Sequence, residues 1–319
     1  MSNYIEKILE FDKIKESLSG FAKIQKTKAM ILDMHKIDNY SDIVKSIDEV
    51  DEAYKNINLA GYPSILPIED ISDPLSHLKI LSSLTIEEIY NISKVLTVTK
   101  NMIDYHEKYT HDNLKTTHDD IHKSILKNYV EKLTDLSSLN KEINMVIQDD
   151  LTINDNASAE LSNIRKKLKA IQTKIDSVSN KVLEKYADKL NDTVLSLKDG
   201  KLCLQVKSEF SNQIDGIVHD VSGTRTTIFI EPKELTIISN EENELKGLEK
   251  IEINKILKKL SNMLIPYVDS ILANYENIIY LDFIYAKANY AKNNNQTKPI
   301  LNNDGHINLI KAIHPLLDK

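Results

Sequence analysis

Glycine and proline are scarce in this chain, because each occurs only 7 times in 319 residues. A large α/β enzyme needs these residues at its many tight turns, so their scarcity disfavours that class and favours long helices. Cysteine occurs once, as Cys203. A single cysteine excludes an internal disulfide framework and fits a reducing compartment.

Long apolar runs are also missing. The first residues carry charges throughout and lack the apolar core of a signal peptide. No stretch approaches the ~18 apolar residues that a membrane span needs. We therefore expect a cytoplasmic protein with no membrane partner. The formal net charge of -7 gives no overall attraction to nucleic acid, so any polyanion binding must come from a local basic patch.

The composition is nevertheless that of a folded protein. Hydrophobic residues make up 41% of the chain and charged residues 28%, which is enough to bury a core and excludes a disordered tail. Apolar residues recur at helical spacing from about residue 4 to 145, and a proline-containing loop at 61–74 interrupts them. Thr85 and Glu88 form a predicted capping box for a helix from about residue 85 to 105.

The most regular pattern lies after residue 154. Apolar residues step by four and three without a break, which is typical of a helix packed lengthwise on a partner. The first seam consists of Ala157, Leu161, Ile164, Leu168, Ile171, Ile175, Val178 and Val182. The second consists of Ile253, Leu257, Leu260, Leu264, Tyr267 and Ile271. The two seams predict an antiparallel helical arm in which Lys185 lies near Lys246.

Between the seams the period changes from that of a helix to that of a strand. Short runs rich in Val, Ile, Leu and Thr are separated by turn dipeptides at 199–200, 215–216 and 222–223. The runs are residues 193–197, 201–207, 214–219 and 226–230. They predict a small β-rich module at the tip of the arm.

Two motifs of this module resemble the clamp signature of the MutS-two family, the second bacterial branch of the MutS proteins. They are Gly-Ile-Val-His-Asp at 216–220 and Thr-Ile-Phe-Ile-Glu-Pro at 227–232. Four other segments are similar to the family's basic strand, returning arm, core helix and entry into its ATPase domain. They are 200–207, 249–260, 281–288 and 312–317. The first 150 residues match more loosely.

This sequence departs from the family in the same module. The family usually has Ser and Gly where Thr224 and Arg225 stand, and Pro where Gln205 stands. It prefers Arg where Lys198 and Lys201 stand. These departures leave the fold assignment intact and concern the conformation of one loop.

The resemblance implies a mostly α fold. It implies a helical core, or lever, bundle with a long antiparallel two-helix coiled-coil arm that bears a small β-rich clamp tip. The implied domains are the first part of the core at 1–150, the clamp at 151–265, the second part of the core at 266–298 and the truncated beginning of an ATPase domain at 299–319. The implied clamp consists of an outgoing helix at 155–191, the tip at 192–238 and a return helix at 239–265.

The resembled family also implies a function. Its members are homodimeric ATPases with a C-terminal nuclease-like module, credited with suppressing homologous recombination on branched DNA and with splitting collided ribosomes. The implied partners are branched DNA or ribosomal RNA, and the implied cofactors are ATP and Mg in the ATPase domain. No Gly-x-x-x-x-Gly-Lys-[Ser/Thr] motif occurs in these 319 residues, so we expect no cofactor and no ATPase or nuclease turnover here. A structural coiled-coil scaffold that binds protein is the alternative.

Basic residues of the tip are the candidate contacts to nucleic acid. A basic cluster on a projecting tip, with few acidic neighbours on the strands, is suited to the phosphate backbone. The candidates are Lys198, Lys201, Lys207, Arg225 and Lys233. A second basic set on the outgoing helix is interpreted mainly as a solvated coiled-coil flank. This set consists of Arg165, Lys166, Lys167, Lys169, Lys174, Lys181, Lys185 and Lys189.

Catalytic and metal sites are not predicted. His219 and Asp220 are adjacent on a strand, so their side chains point to opposite faces and do not form a triad with Ser222. Cys203 lies between two leucines and is interpreted as a small buried residue.

Three histidines are the one possible metal cluster. They are His111, His118 and His122. The last two are four residues apart and would share a helix face, as zinc ligands do. A solvated helix face is the favoured interpretation, because the spacing fixes no third ligand.

Overall fold

A computed structural model describes residues 8–80, 83–114 and 124–316, apart from the side chains of 109–114. The protein is mostly α-helical with one small antiparallel sheet, as predicted. The helices are α1 Phe11–Ser19, α2 Gln25–Leu32, α3 Tyr40–Ala60, α4 Ser72–Lys79, α5 Ile86–Leu114, α6 Lys127–Val130, α7 Ser137–Val146, α8 Ala159–Lys185, α9 Lys233–Leu264 and α10 Val268–Asn293. The strands are β1 Ser196–Lys198, β2 Lys201–Lys207, β3 Gly216–Val221 and β4 Thr227–Pro232. None of the helices in the described ranges is both long and apolar enough to cross a membrane.

The chain divides into two compact units. Unit 1 comprises residues 1–152 and 258–319, and unit 2 comprises residues 153–257. In unit 1, α10 is apolar on most sides and packs against α3, α5 and α2. A helix that is apolar nearly all round belongs in the interior of a bundle. Helix α10 is therefore the central element of unit 1.

Buried polar side chains fix the segments that surround α10. The carboxylate of Asp282 accepts hydrogen bonds from the backbone N–H groups of Lys23, at 3.1 and 3.2 Å, and Ile24, at 3.0 Å, just before α2. The amide of Asn274 both accepts from and donates to the backbone of Thr134, at 2.8 Å each. The backbone groups of these segments are thereby satisfied inside the protein.

The predicted capping box is confirmed. The backbone N–H of Thr85 donates to Glu88 Oε2 at 2.8 Å, and the N–H of Glu88 donates to Thr85 Oγ1 at 3.2 Å. The helix that follows, α5, ends at Leu114 rather than near residue 105. The predicted loop at 61–74 is shorter than expected, because α4 begins at Ser72.

In unit 2 the first predicted seam is the buried stripe of α8. Its residues Ile164, Ile171 and Ile175 form a cluster with Ile238 and Leu245 of α9. Ion pairs flank this cluster, namely Arg165–Glu249 at 2.7 Å, Lys174–Glu241 at 3.3 Å and Lys185–Glu234 at 2.8 Å. Along these ion pairs the residue numbers rise on α8 while those of their partners on α9 fall, so the two helices are antiparallel.

The second predicted seam was misplaced. The ion pairs of α9 with α8 run from Glu234 to Glu249, and Glu252 accepts a hydrogen bond from Ser158, the N-cap of α8, whereas the predicted seam began at Ile253. Helix α9 also starts at Lys233, inside the segment that was assigned to the β-rich tip, and Glu234 rather than Lys246 lies beside Lys185. The period was missed because this part of α9 places glutamates beside the apolar residues that face α8, among them Glu241 and Glu249, which pair with Lys174 and Arg165.

The four strands form a sheet in the order β1-β2-β4-β3, with antiparallel neighbours throughout. Strand β2 matches its predicted range, whereas the other three are shifted by one to three residues at their ends. One face of the sheet buries Leu204, Val206 and Ile230 against Val182 and Tyr186 at the end of α8. A β-bulge interrupts the β3–β4 register between Val218 and Asp220, so His219 is the extra residue.

Candidate nucleic-acid interface

Two of the predicted phosphate contacts, Lys198 and Lys201, have acidic partners within the tip. The ammonium of Lys198 lies 2.7 Å from Asp220 Oδ2 and 4.1 Å from the centre of the Phe229 ring. This hydrogen bond lowers the pKa of the Asp220 carboxyl below its ordinary value. The ammonium of Lys201 lies 3.9 Å from Glu231 Oε1.

Two further candidates also have intramolecular partners. Lys207 donates to the backbone carbonyl of Asp188 at 3.1 Å, and Lys233 lies 3.6 Å from Asp215. The expectation of few acidic neighbours was therefore wrong. The acids come from adjacent strands and turns, and the pairing of strands that brings them to the lysines is not visible in a linear pattern.

Arg225 differs from these lysines. Its side chain is exposed and has no ion-pair or hydrogen-bond partner within the described part of the chain. It lies in the loop between β3 and β4 with a backbone φ of 57°, a left-handed conformation that glycine adopts more readily. This is the position at which the resembled family has glycine. Arg225 therefore adopts a backbone conformation that is unfavourable for a residue with a side chain.

A buried polar cluster under the bulge was missed by the sequence reasoning. Glu231 is 2% exposed, and its Oε2 lies 2.7 Å from Nε2 of His219. Its Oε1 has no hydrogen-bond partner. Burial and this carboxylate raise the pKa of the Cys203 thiol to about 11. The prediction that Cys203 is a small buried residue is confirmed. The signal for the cluster was a carboxylate between Ile230 and Pro232 in an apolar strand.

His219 and Asp220 do not share a site, as expected from their adjacency. The imidazole faces Glu231, and the Asp220 carboxylate faces Lys198. The residues of the possible metal cluster, namely His118, His122 and the side chain of His111, lie outside the described part of the chain. Among the residues that are described, no group of three His, Cys, Asp or Glu side chains is arranged to hold a metal ion.

The cations of α8 fall into two sets. Arg165, Lys169, Lys174 and Lys185 have acidic partners on α9 or at Asp155. Lys166, Lys167 and Lys181 are exposed and have no ion-pair partner in the part of the chain that the structure describes. Within the described residues, unit 2 therefore presents five exposed cations without an ion-pair partner. They are Arg225 in the loop between β3 and β4, Lys166, Lys167 and Lys181 on α8, and Lys250 on α9.

Unit 2 defines a class of protein module: two long antiparallel helices in contact, joined through a small four-stranded sheet. Comparison with known proteins places this chain more narrowly. It is 32% identical over 319 residues, all of the chain and 40% of the relative, to "Endonuclease MutS2" of Clostridium perfringens strain SM101. It is 34% identical over 315 residues, 98% of the chain and 39% of the relative, to "Endonuclease MutS2" of Caldicellulosiruptor saccharolyticus.

A third relative gives the same result. "Putative endonuclease MutS2" of Bacillus subtilis strain 168 is 34% identical over 319 residues, which is 99% of the chain and 40% of the relative. This chain is therefore a homologue of the MutS2 proteins over its whole length, and the resemblance to the MutS-two family is confirmed. The chain spans about 40% of the length of these relatives. No protein-family model matches it.

Proposed function

We propose that this chain is the core and clamp region of a MutS2-like ATPase and that unit 2 grips nucleic acid. In this proposal residues 1–150 and 266–298 form the lever core. Residues 151–265 form the clamp, and 299–319 lead into an ATPase domain that binds ATP and Mg. The names of the homologues, which call those proteins endonucleases, support a role on DNA.

The contacts between α8 and α9 support the arm of this clamp. Apolar residues at heptad spacing on α8 face Ile238 and Leu245 of α9, and opposite charges flank them in antiparallel order. These are the features of an antiparallel coiled coil. A two-helix coiled coil that carries the four-stranded sheet would place the sheet at the end of an arm.

Four unpaired cations of unit 2, three on α8 and one in the loop between β3 and β4, are the observation that carries the proposal. Arg225, Lys166, Lys167 and Lys181 are exposed and free of acidic partners within the described residues. A phosphate backbone attracts such cations without reading the sequence. Lys198, Lys201, Lys207 and Lys233 stay proposed contacts, but each would have to exchange an intramolecular partner for a phosphate.

Two substrates present the required phosphates. Branched DNA would fit a protein that suppresses homologous recombination, and ribosomal RNA would fit one that splits collided ribosomes. In both cases we propose a homodimer of the complete protein, whose two clamps close on the substrate in a movement driven by ATP.

A binding experiment on the purified chain tests this function. We expect it to retard a four-way DNA junction or to co-sediment with ribosomes, and to do so more weakly as salt rises. Replacing Lys166, Lys167 and Lys181 by Gln and Arg225 by Gly should weaken binding and flatten the plot of log K against log salt by up to ~3–4 units on duplex DNA.

A charge-matched control separates a site from a general charge effect. Gln at Lys108, Lys141, Lys258 and Lys292 removes the same number of cations from unit 1, each exposed and without an ion-pair partner among the residues that the structure describes. Equal weakening by both quadruple variants would contradict a clamp site in unit 2.

A protein-binding scaffold is the second candidate. It is favoured by Ile237, Leu248 and Ile251, which are 49–60% exposed along α9, since exposed apolar side chains in a row mark protein contacts. Absence of binding to both the junction and the ribosome at low salt would favour this alternative.

A further inference from the structure

The loop between β3 and β4, residues 222–226, is held in one shape by its own hydrogen bonds. We call it the Arg225 loop. The backbone N–H of Ser222 donates to the carbonyl of Thr227 at 2.9 Å, and the N–H of Arg225 donates to the carbonyl of Ser222 at 2.8 Å. The hydroxyl of Ser222 accepts the N–H of Thr227 at 3.0 Å. The loop is thus a closed hairpin turn rather than a loose connection.

Neighbouring segments support the loop from outside. The carbonyl of Thr226 accepts the backbone N–H of Ser208 at 3.1 Å and the side-chain amide of Asn191 at 3.3 Å. The same amide donates to the Thr227 hydroxyl at 2.7 Å. These bonds engage acceptors of the loop and leave its donors available.

The donors that remain face no partner. The backbone N–H groups of Gly223, Thr224 and Thr226 have none among the described residues. The hydroxyls of Ser222, Thr224 and Thr226 form a chain, with 3.4 Å between the first two and 2.9 Å between the last two. Because Ser222 already accepts from Thr227, its hydrogen is available to Thr224. The chain then ends in a Thr226 hydroxyl hydrogen that can be donated to a ligand.

The charge of the loop, like its free hydrogen-bond donors, favours an anionic ligand. Residues 221–230 contain no carboxylate, and the unpaired guanidinium of Arg225 is the one charged group among them. Lys207 lies opposite Thr227 in the β2–β4 register. The nearest acids along the supporting segments are Asp192 and Glu209, each beside a residue that binds the loop. Clustered backbone N–H groups, hydroxyls and an arginine are what an anion with several acceptor oxygens requires.

We propose that the Arg225 loop is a phosphate-binding cradle that holds one phosphodiester group of a nucleic-acid backbone. The guanidinium neutralises the charge, the three N–H groups and the Thr226 hydroxyl bind the oxygens, and no base is read. The proposal rests on the proposed function for its ligand. It assigns the tip's principal contact to a preformed loop rather than to the lysines of β1 and β2.

Two variants and one control test the cradle. Arg225→Gly removes the guanidinium at a backbone conformation that glycine prefers, so the fold is retained. Thr224→Val with Thr226→Val removes two hydroxyls and keeps the shape of the side chains. Lys250→Gln, which removes an exposed and unpaired cation from α9, is the matched control.

The probes are a short mixed-sequence DNA duplex and the RNA duplex of the same sequence. We expect Arg225→Gly to weaken binding about 10-fold, as loss of one charge-assisted hydrogen bond would. It should also flatten the salt slope on DNA by about 0.9. The double Val variant should weaken binding with the slope unchanged. The control should change neither. If Arg225→Gly weakens binding to one of the two duplexes more than to the other, that result identifies DNA or RNA as the source of the phosphodiester group.

A second measurement distinguishes failure of the cradle from failure of the clamp. Titration of the ¹⁵N-labelled wild-type chain with inorganic phosphate should shift the amide signals of Gly223, Thr224 and Thr226, and Arg225→Gly should abolish these shifts. If the wild type binds duplex and Arg225→Gly binds equally well, the cradle is refuted and the clamp stands. If the wild type binds neither duplex, nor the four-way junction, nor the ribosome, the clamp is refuted, and the phosphate titration alone supports or refutes the cradle.

Discussion

At the scale of single residues, Lys287 is a lysine whose ammonium packs inside unit 1. Its ammonium lies 3.3 Å from the Ser46 hydroxyl and 4.0 Å from the centre of the Phe283 ring. Burial lowers the pKa of Lys287 to about 8, although the buried carboxylate of Glu49 raises it. Glu49 itself accepts hydrogen bonds from the hydroxyl of Tyr280, at 2.9 Å, and from a second tyrosine, Tyr129.

The depressed pKa of Lys287 predicts a pH dependence with a definite sign. Between pH 8 and the ordinary lysine pKa of 10.5, the unfolded chain binds this proton and the folded chain does not, so stability rises with pH. From pH 8 to 9.5 the wild type should gain about 1–2 kcal/mol in unfolding free energy relative to Lys287→Met. Urea denaturation of both proteins at the two pH values measures this difference.

The comparison with the variant is needed because other groups with shifted pKa values also change the stability of the protein in this pH range. The raised pKa values of Cys203 and Tyr129, about 11 and about 12, lower the stability of both proteins as the unfolded groups lose their protons. A difference between wild type and variant that does not change from pH 8 to 9.5 would contradict the assignment to Lys287.

Asp282 is a second buried residue of unit 1, and its hydrogen-bond partners are far away in the sequence. Burial raises the pKa of this carboxyl above its ordinary value, but its two oxygens satisfy the N–H groups of Lys23 and Ile24. We expect Asp282→Ala to lower the unfolding free energy by about 2–4 kcal/mol, because it leaves buried donors without an acceptor. Asp282→Asn keeps one oxygen and should cost less. Equal losses in thermal denaturation would mean that the acceptor oxygen is not what stabilises this site.

These residues show what could be predicted one residue at a time. The Thr85–Glu88 cap was predictable because its two members are three positions apart and act through local backbone groups. Asp282 binds backbone groups more than 250 positions away, and Glu231 meets His219 only when β3 pairs with β4. Arg225 was predicted to contact phosphate because of its charge. Its lack of an acidic partner, which sets it apart from the nearby lysines, depends on which acids the folded strands bring close.

At the scale of elements, two glycines have opposite surroundings, one crowded and one open, so that their replacement by alanine should have opposite effects on stability. A Cβ at Gly216 in β3 would clash with the carbonyl oxygen of Glu231 and lie 2.8 Å from Ile230 Cγ2. A Cβ at Gly247, inside α9, would meet open space. We expect Gly216→Ala to destabilise unit 2 by about 2 kcal/mol or more, through displacement of β3 from β4.

Gly247→Ala should have the opposite sign. Alanine is the better helix former by about 1 kcal/mol in a helix interior, and nothing in the chain obstructs it. Urea denaturation monitored by circular dichroism measures both variants. Destabilisation by Gly247→Ala would mean that α9 does not continue through this position as one helix.

The pairing of α8 with α9 predicts which positions can be crosslinked. With Cys203 replaced by Ser, cysteines at Lys185 and Glu234 should react efficiently with a short bismaleimide, because these side chains form an ion pair. Cysteines at Lys185 and Lys246 should react poorly, since Lys246 lies more than three turns further along α9. The reverse preference would restore the original prediction from the sequence.

Element types were more predictable than element partners. The stripe of α8 and the range of β2 follow from periods of 3.6 and 2, which the side chains alone display. The contact face of α9 was missed because glutamates occupy part of it and form ion pairs with α8. A pattern that counts apolar residues cannot detect a seam stabilised by charge.

At the scale of the whole molecule, the two units have separate hydrophobic clusters. In unit 1, Leu18 and Ile31 pack with Phe283, Ala286 and Tyr290. In unit 2, the apolar face of the sheet packs against the end of α8. Each cluster draws its residues from one unit only. A defect in one cluster therefore removes contacts from one unit and leaves the contacts of the other intact.

Native-state hydrogen exchange should reveal this separation. We expect Gly216→Ala to accelerate exchange of the amides of β2 and β4 while those of α10 keep the protection of the wild type. Asp282→Ala should do the reverse. Helix α9 crosses the boundary between residues 257 and 258, so its amides on either side should follow different variants. If either substitution accelerates exchange in both units equally, the chain opens as a single cooperative body, since a local defect would then have reached contacts in which it takes no part.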